Sequence, residues 1–513
     1  MMKKKIVVIA SVAFLAAVMP SCKKEFLEQT DPNAIELVTS FRSPDDVLAA
    51  VNGIYQSLRS SNNVGENSGL WTDERSDDTG RNDNQSNAGE PFQFGDFSIL
   101  PSNTYLKSHW VSLYGTISKA NIVLANIDRV TFADPQMKQQ YMAEAKFLRA
   151  FIYFQLVRTW GDVPLVTTSF KSADEVNANT FREKQARVYE LIVSDLKDAL
   201  ASNLPDLQSG AGLGRTSKAA INAVLGQVYL TMATTQDPSA RTANLNEAKT
   251  YLTAAYGMRK FGLLSTIPYT DVFDVNKKST CPEIIWQIVN KQGDPTYSSS
   301  IAANNQAKGE TINSLKPASG SGGNVTPDLI KEYEAGDPRM TFSVKYAEDP
   351  IVKDYFIAKF RDASSGASNL GYGGNDWILI RYADVMLMLA EVNNYLGDRT
   401  GAISLLDQVR SRAGLTSYAE TIAANPAYAA KYTDLRLAIL HERRVELAFE
   451  HHRWFDLLRT FNSDELVSYF KAKNQADFGI AKLANFTTKD RYFPIPFDEY
   501  KLNPEKMYQN PGY

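Results

Sequence analysis

Two cysteines in 513 residues leave no internal disulfide framework, because Cys22 closes an apolar leader and Cys281 then has no partner. Histidine is nearly as scarce, at four, which narrows metal and acid–base chemistry. His441-Glu442 opens like a zincin helix, but Val445 stands where the second histidine is needed. His451 and His452 are adjacent and would project about 100° apart from a helix, so they do not face one metal. No GxSxG elbow, P-loop or dinucleotide fingerprint occurs. A basic excess is missing too: 55 Lys and Arg against 58 Asp and Glu give a net charge of −3, which argues against the counterion release that drives nucleic-acid binding. The apolar run 6–18 spans thirteen residues, and nothing longer follows it. A membrane-crossing helix needs about 20.

What the chain does have is helical periodicity. Hydrophobic residues at 44% and charged residues at 22% suit a folded chain with a sizeable core. Val47, Leu48, Val51, Ile54, Tyr55 and Leu58 recur at steps of three and four after Ser43, an N-cap candidate. The same spacing predicts helices over 109–127, 137–160, 183–201, 217–232, 245–256, 377–396, 402–412 and 435–460, while 281–290 is the best strand candidate. Small residues at close contacts, such as Ala219, Ala223 and Gly226 facing Ala248, Leu252 and Ala255, have the rhythm of tetratricopeptide pairs. The expected fold is mainly α: an α-solenoid of about four such pairs, with long, mostly irregular inserts and a few short strands. In 143–158, Phe147, Phe151 and Phe154 lie on one side and Leu148, Ile152 and Leu156 on another, so this helix must be covered twice. Glu442, Arg443, Glu446, Glu450, Arg453 and Asp456, spaced along 435–460, read as an intrahelical ion-pair lattice. Cys281 has no basic neighbour in sequence and reads as a buried inert thiol.

Two polar inserts, 60–107 and 292–324, interrupt the helices, and long loops in compact proteins are commonly functional. The first carries Trp71, Phe92, Phe94, Phe97 and Tyr105 in polar surroundings. Sugar rings present an apolar CH face and a rim of hydroxyls, so a receptor pairs an aromatic plate with planar Asp, Asn or Arg partners. Residues 71–84 offer all of these. The same stretch also reads as a solvated loop that Trp71 anchors to the solenoid. Whether a calcium ion orders residues 73–83 stays open at this point.

The leader has Lys3, Lys4 and Lys5, the apolar run, and Ser21 directly before Cys22. It reads as an export signal. The small residue before the cysteine resembles the lipobox of bacterial lipoproteins, although Met19 and Pro20 depart from the commonest form. The expectation is removal of 1–21, lipidation at Cys22, a leash over 22–42, and a single domain over 22–513 that is anchored to a membrane without spanning it.

Residues 144–154, followed by Trp160-Gly161-Asp162-Val163-Pro164-Leu165, resemble the first hallmark of the SusD/RagB family of Bacteroidetes outer-membrane lipoproteins. Further blocks at 214–220, 381–391, 409–415 and 442–457 agree, as does the tail from Phe493-Pro494-Ile495-Pro496 to Pro511-Gly512-Tyr513. His451 departs from the pattern, which usually has glycine there. The resemblance implies a surface-exposed, non-catalytic lipoprotein that captures glycan and delivers it to a SusC-like TonB-dependent outer-membrane transporter. It implies no catalysis, and no cofactor or metal site is expected apart from a structural calcium; the charge balance already argues against a nucleic-acid partner. A peptide-binding subunit of a RagAB-like transporter is the second reading, and a surface glycosidase with two carboxylates about 5–9 Å apart is the third. Ligand contacts in this family vary with cargo and lie in the inserts. The candidates that follow are Trp71, Asp73, Asp78 and Arg81, then Tyr297, Arg361 and Tyr372.

Overall fold

Ser43 opens the first helix with a capping box: its hydroxyl accepts from the Asp46 amide, and the Asp46 carboxylate accepts from the Ser43 amide at 2.9 Å. In the computed structural model this helix, α1, is Pro44–Leu58. The structure describes residues 40–80, 89–168, 170, 172–307, 309–312, 324–348, 353–479 and 482–513. The leader, Cys22, most of the leash and Arg81 lie outside them.

The other main helices are α2 Thr104–Asn126, α3 Pro135–Trp160, α4 Gln185–Leu200, α5 Lys218–Thr235 and α6 Arg241–Gly257. After them come α7 Tyr382–Tyr395, α8 Arg399–Arg412, α9 Leu435–Glu446 and α10 Arg453–Thr460. The fold is mainly helical, and among the described residues four packed helix pairs make the solenoid: α1 with α2, α3 with α4, α5 with α6, and α7 with α8. Helix α3 is buried on both predicted faces, from Ala143 to Trp160. Pair α5–α6 is close because of Gly226, where a Cβ would stand 2.4 Å from Leu252 Cγ. One apolar core runs through all four pairs.

Two stretches differ from the periodic reading. Residues 377–396 split into a strand and a helix, since Trp377–Arg381 pairs antiparallel with Ile284–Ile288 before α7 begins. The second difference is in 435–460. The helix stops at Glu446, Phe449 and His451 adopt positive φ (66° and 64°), and α10 restarts at Arg453. L-residues in the left-handed region cannot continue a helix. His451 and His452 therefore sit in a turn, and the charged residues pair between elements instead of along one helix. A hairpin, Val344–Glu348 with Lys353–Ile357, lies near this turn in the finished fold.

Those ion pairs form a buried hub. Arg381 binds Glu283, Glu446 and Glu450, and Arg339 binds Asp337, Glu442 and Glu446. Arg443 bridges Asp384 on α7 to Asp456 on α10. Burial alone would raise the Glu446 carboxyl, but Arg412, Arg381 and Arg339 hold it well below the usual range. The hub fixes the α9–α10 turn against the solenoid, and that turn forms part of the cavity described next.

Candidate functional site

The two inserts meet and enclose a cleft of about 630 Å³, inside the roughly 300–1,000 Å³ range of ligand sites. They are stitched by main-chain bonds from Gly80 N to Asn324 O (3.0 Å) and from Thr326 N to Asp78 O (3.0 Å). Side chains add to this: Glu66 accepts from the Ser300 amide at 2.6 Å, and Asn304 donates to Asn67 at 2.9 Å. Phe449 and His451 enter from the α9–α10 turn, and Phe356 and Phe360 from the end of the hairpin. Tyr105, 42% exposed, is the open aromatic of the lining.

The stretch 73–79 is held from below by cations of the chain itself. Lys482 Nζ, fully buried, donates to the carbonyls of Glu74 (2.7 Å), Thr79 (2.8 Å) and Ser76. Burial pushes its ammonium down to about 8. Arg444 binds Asp78 at 2.7 Å, while Arg453 (2.7 Å) and Lys473 (3.0 Å) bind Asp77. Burial would raise the Asp77 carboxyl, yet Arg444 and Arg453 hold it well below the usual range. A calcium ion would use just such carbonyl and carboxylate oxygens; here Lys482 takes up the Glu74, Ser76 and Thr79 carbonyls and Arg444 and Arg453 engage Asp78 and Asp77, while Asp73 stays outside these pairs. Arg75 lies buried among the rings of Phe97, Trp454 and Phe493 at 4.5–5.0 Å.

The sequence candidates fall in different places. Trp71 lines the cleft but is 4% exposed, with one face stacked on His109 at 4.3 Å and 3°, and its indole N–H donates to Ser61 O. Asp73 also lines it. Burial, with the charges of Asp78 and Glu74, raises its carboxyl well above the ordinary value, and Oδ1 has no hydrogen-bond partner. Asp78 is fully buried in the Arg444 pair and does not reach the lining. Arg81 is outside the described residues. Arg361 holds the carbonyl of Asn305, a lining residue, at 3.1 Å without lining the cleft itself. Tyr297 is exposed beside the Arg59 guanidinium, 5.4 Å from its ring. Tyr372 offers its carbonyl to Gly293 N at 3.0 Å. Neither tyrosine lines the cleft.

Tyr105 was visible in sequence only as one aromatic of the first insert. His451, Asn305, Gln306, Phe356 and Phe360 carried no local signal beyond the histidine standing where the family pattern has glycine. His451 Nδ1 lies 3.0 Å from Ser68 Oγ, and its ring packs on Trp377 at 4.4 Å. Burial pushes its imidazole down to about 3, so the ring is neutral near pH 7.

Among the described residues one cluster has metal-ligand chemistry: Glu334, His441 and Glu442 bring three ligand atoms within 4.8 Å of one another. The Arg410 guanidinium occupies it, with Nη1 2.6 Å from Glu334 and 3.3 Å from Glu442. Cys281 is half-buried, and burial pushes its thiol up to about 11, so it stays protonated and unreactive.

Two family models match the chain, one described as "SusD family" over residues 352–513 and one as "Starch-binding associating with outer membrane" over residues 25–230. The chain belongs to the SusD/RagB family. Among its SusD-like relatives, protein P2 of Formosa agariphila is 26% identical over 95% of this chain and 96% of its own length. A SusD-like protein of Bacteroides ovatus is 24% identical over 91% and 85%. Among solved structures, a laminarin-binding SusD-like protein superposes with a TM-score of 0.73 at 26% identity, covering 92% of this chain and 100% of its own. A SusD superfamily protein from Parabacteroides distasonis shares the fold with a TM-score of 0.73 at 23% identity, over 91% and 99%.

Proposed function

We propose that this SusD-family chain is a non-catalytic glycan-binding lipoprotein of the outer-membrane surface. It takes an oligosaccharide into the cleft between its inserts and passes it to a TonB-dependent transporter. The observation that carries this reading is the cleft itself: about 630 Å³, edged by the open ring of Tyr105 and lined with Asn and Gln amides. Flat aromatic surface beside amide donors and acceptors is the combination that a sugar's CH face and hydroxyl rim require. The laminarin-binding relative supports the same ligand class.

Affinity electrophoresis through gels containing single polysaccharides tests it. Retardation by at least one glycan, lost in Tyr105→Ala, is the expected result. Retention that survives Tyr105→Ala would remove the cleft from the reading, and sustained release of short sugars from that glycan would overturn the non-catalytic part. Labelled-lipid incorporation that is abolished in Cys22→Ala tests the anchor. Native mass spectrometry of the chain purified with its transporter separates a glycan cargo from a peptide cargo by mass.

A further inference from the structure

We infer that the cleft is built for an uncharged, hydroxyl-bearing ring and that His451 reads that ring at its floor. The inference rests on the glycan reading above and narrows it.

The backbone supplies the first argument. Among the described residues only Phe97, Phe449 and His451 have positive φ without being glycine, and the last two both line the cleft. Strain of this kind persists only where surrounding structure imposes it, and it gathers at ligand sites. Glycine at 451 would adopt φ 64° without steric cost. Histidine there accepts the strain and gains an imidazole inside the cleft.

The side chain is held but not used up. Ser68 Oγ engages Nδ1 at 3.0 Å, and Trp377 supports the ring. Nε2 has Asp73 Oδ2 at 3.7 Å, beyond hydrogen-bond reach. Gly69 keeps the approach to this nitrogen open, because a Cβ there would stand 3.3 Å from it. Nε2 and the Asp73 carboxyl thus form a donor–acceptor pair that one sugar hydroxyl, both donor and acceptor, would bridge.

Charge supplies the second argument. No described side chain lining the cleft is Lys or Arg, whereas Glu66, Asp73 and Glu74 are carboxylic. Glu66 accepts from Ser299 and Ser300 hydroxyls and the Ser300 amide, all neutral donors. A uronate or sulfate entering here would lose water without meeting a cation from the described lining.

The test uses the purified full chain in affinity gels with laminarin, starch, xyloglucan and galactomannan against alginate, polygalacturonate and chondroitin sulfate. At least one neutral polymer should be retained and none of the anionic ones. His451→Gly should then lose at least tenfold in affinity for the retained polymer while its melting temperature holds or rises, and His451→Gln should keep part of the binding. Stronger retention by an anionic polymer than by any neutral one overturns the inference but leaves the glycan reading standing. Undiminished binding by His451→Gly overturns it, and so does a lowered melting temperature that accounts for the lost binding. Retention by no polymer overturns the glycan reading and this inference with it.

Discussion

Lys482→Met removes the ammonium under the cleft while keeping most of its volume. Three main-chain carbonyls, of Glu74, Ser76 and Thr79, then lose their donor inside a fully buried site. Each stranded buried acceptor costs about 1–3 kcal/mol, so three cost about 3–9 kcal/mol before the stretch relaxes. Partial relaxation of the stretch brings this down to about 4 kcal/mol. At ~2.1 cal/mol/K per residue, unfolding 513 residues carries an entropy of ~1 kcal/mol/K, so the melting temperature falls by only about 4 °C. The larger effect is local. Residues 73–79 should exchange amide hydrogens faster by at least tenfold, while α3 and α5 in the solenoid stay protected. Glycan retention should drop in parallel, since Asp73, Glu74 and Thr79 line the cleft. Hydrogen exchange read by mass spectrometry decides it: unchanged exchange over 73–79 with a melting shift under about 1 °C would refute the claim that Lys482 holds this floor.

Trp71→Ala should lower retention and stability together, by about 3–5 kcal/mol for a buried stacked aromatic, whereas Tyr105→Ala should lower retention alone; equal thermal shifts in both variants would contradict the burial difference. Arg381 and Lys359 hold the buried Glu450 carboxyl down at about 2, although burial itself opposes this. With the folded pKa below the unfolded value, the stabilisation is complete above about pH 4.5 and is lost as pH falls towards 2, about 3 kcal/mol over that window. The gap between urea midpoints at pH 5 and pH 3 should narrow in Glu450→Gln, with Glu446 and Asp77 keeping the rest of it, and an unaltered acid slope would count against the assignment. Gly226→Val should cost about 1–3 kcal/mol by forcing α5 from Leu252, seen as a lower urea midpoint; a neutral result would mean the pair has slack.

Much of the scaffold was legible because its burial is periodic. The two covered faces of α3, the Ser43 cap of α1 and the small contacts of α5–α6 are local patterns, and the structure realises them. Residues 377–381 misled because Trp-Ile-Leu-Ile-Arg is apolar at both periods, and only its pairing with Ile284–Ile288 makes it a strand. The stop after Glu446 had no glycine to announce it, since Phe449 and His451 take the left-handed angles themselves. In the site the difficulty was distance. Trp71 and Tyr105 are both aromatics in polar sequence, and local composition does not say that His109 covers the face of one and leaves the other open. Asp78 looked like a ligand-facing carboxylate beside Trp71 until Arg444, 366 positions later, took it.

That long-range pairing explains how a polar insert becomes a rigid wall. Burying Asp77 and Asp78 costs desolvation that their arginine and lysine partners do little more than offset, so the pairs add modestly to stability. What they do is remove alternatives: any other placement of residues 73–79 strips Lys482 of its three carbonyl acceptors, leaves Arg453 without its carboxylate Asp77, and leaves Arg444 with Asp328 and Glu332 alone. The hydrophobic core could not do this, because the stretch Asp73-Glu74-Arg75-Ser76-Asp77-Asp78-Thr79 has no apolar residue to contribute. The insert is therefore positioned by charge, and the charges that position it belong to the turn and helices around His451 and to the C-terminal segment. A substitution among those residues should change the cleft even where it touches no ligand, which is why Lys482 and Arg453 belong in any mutational series on this site.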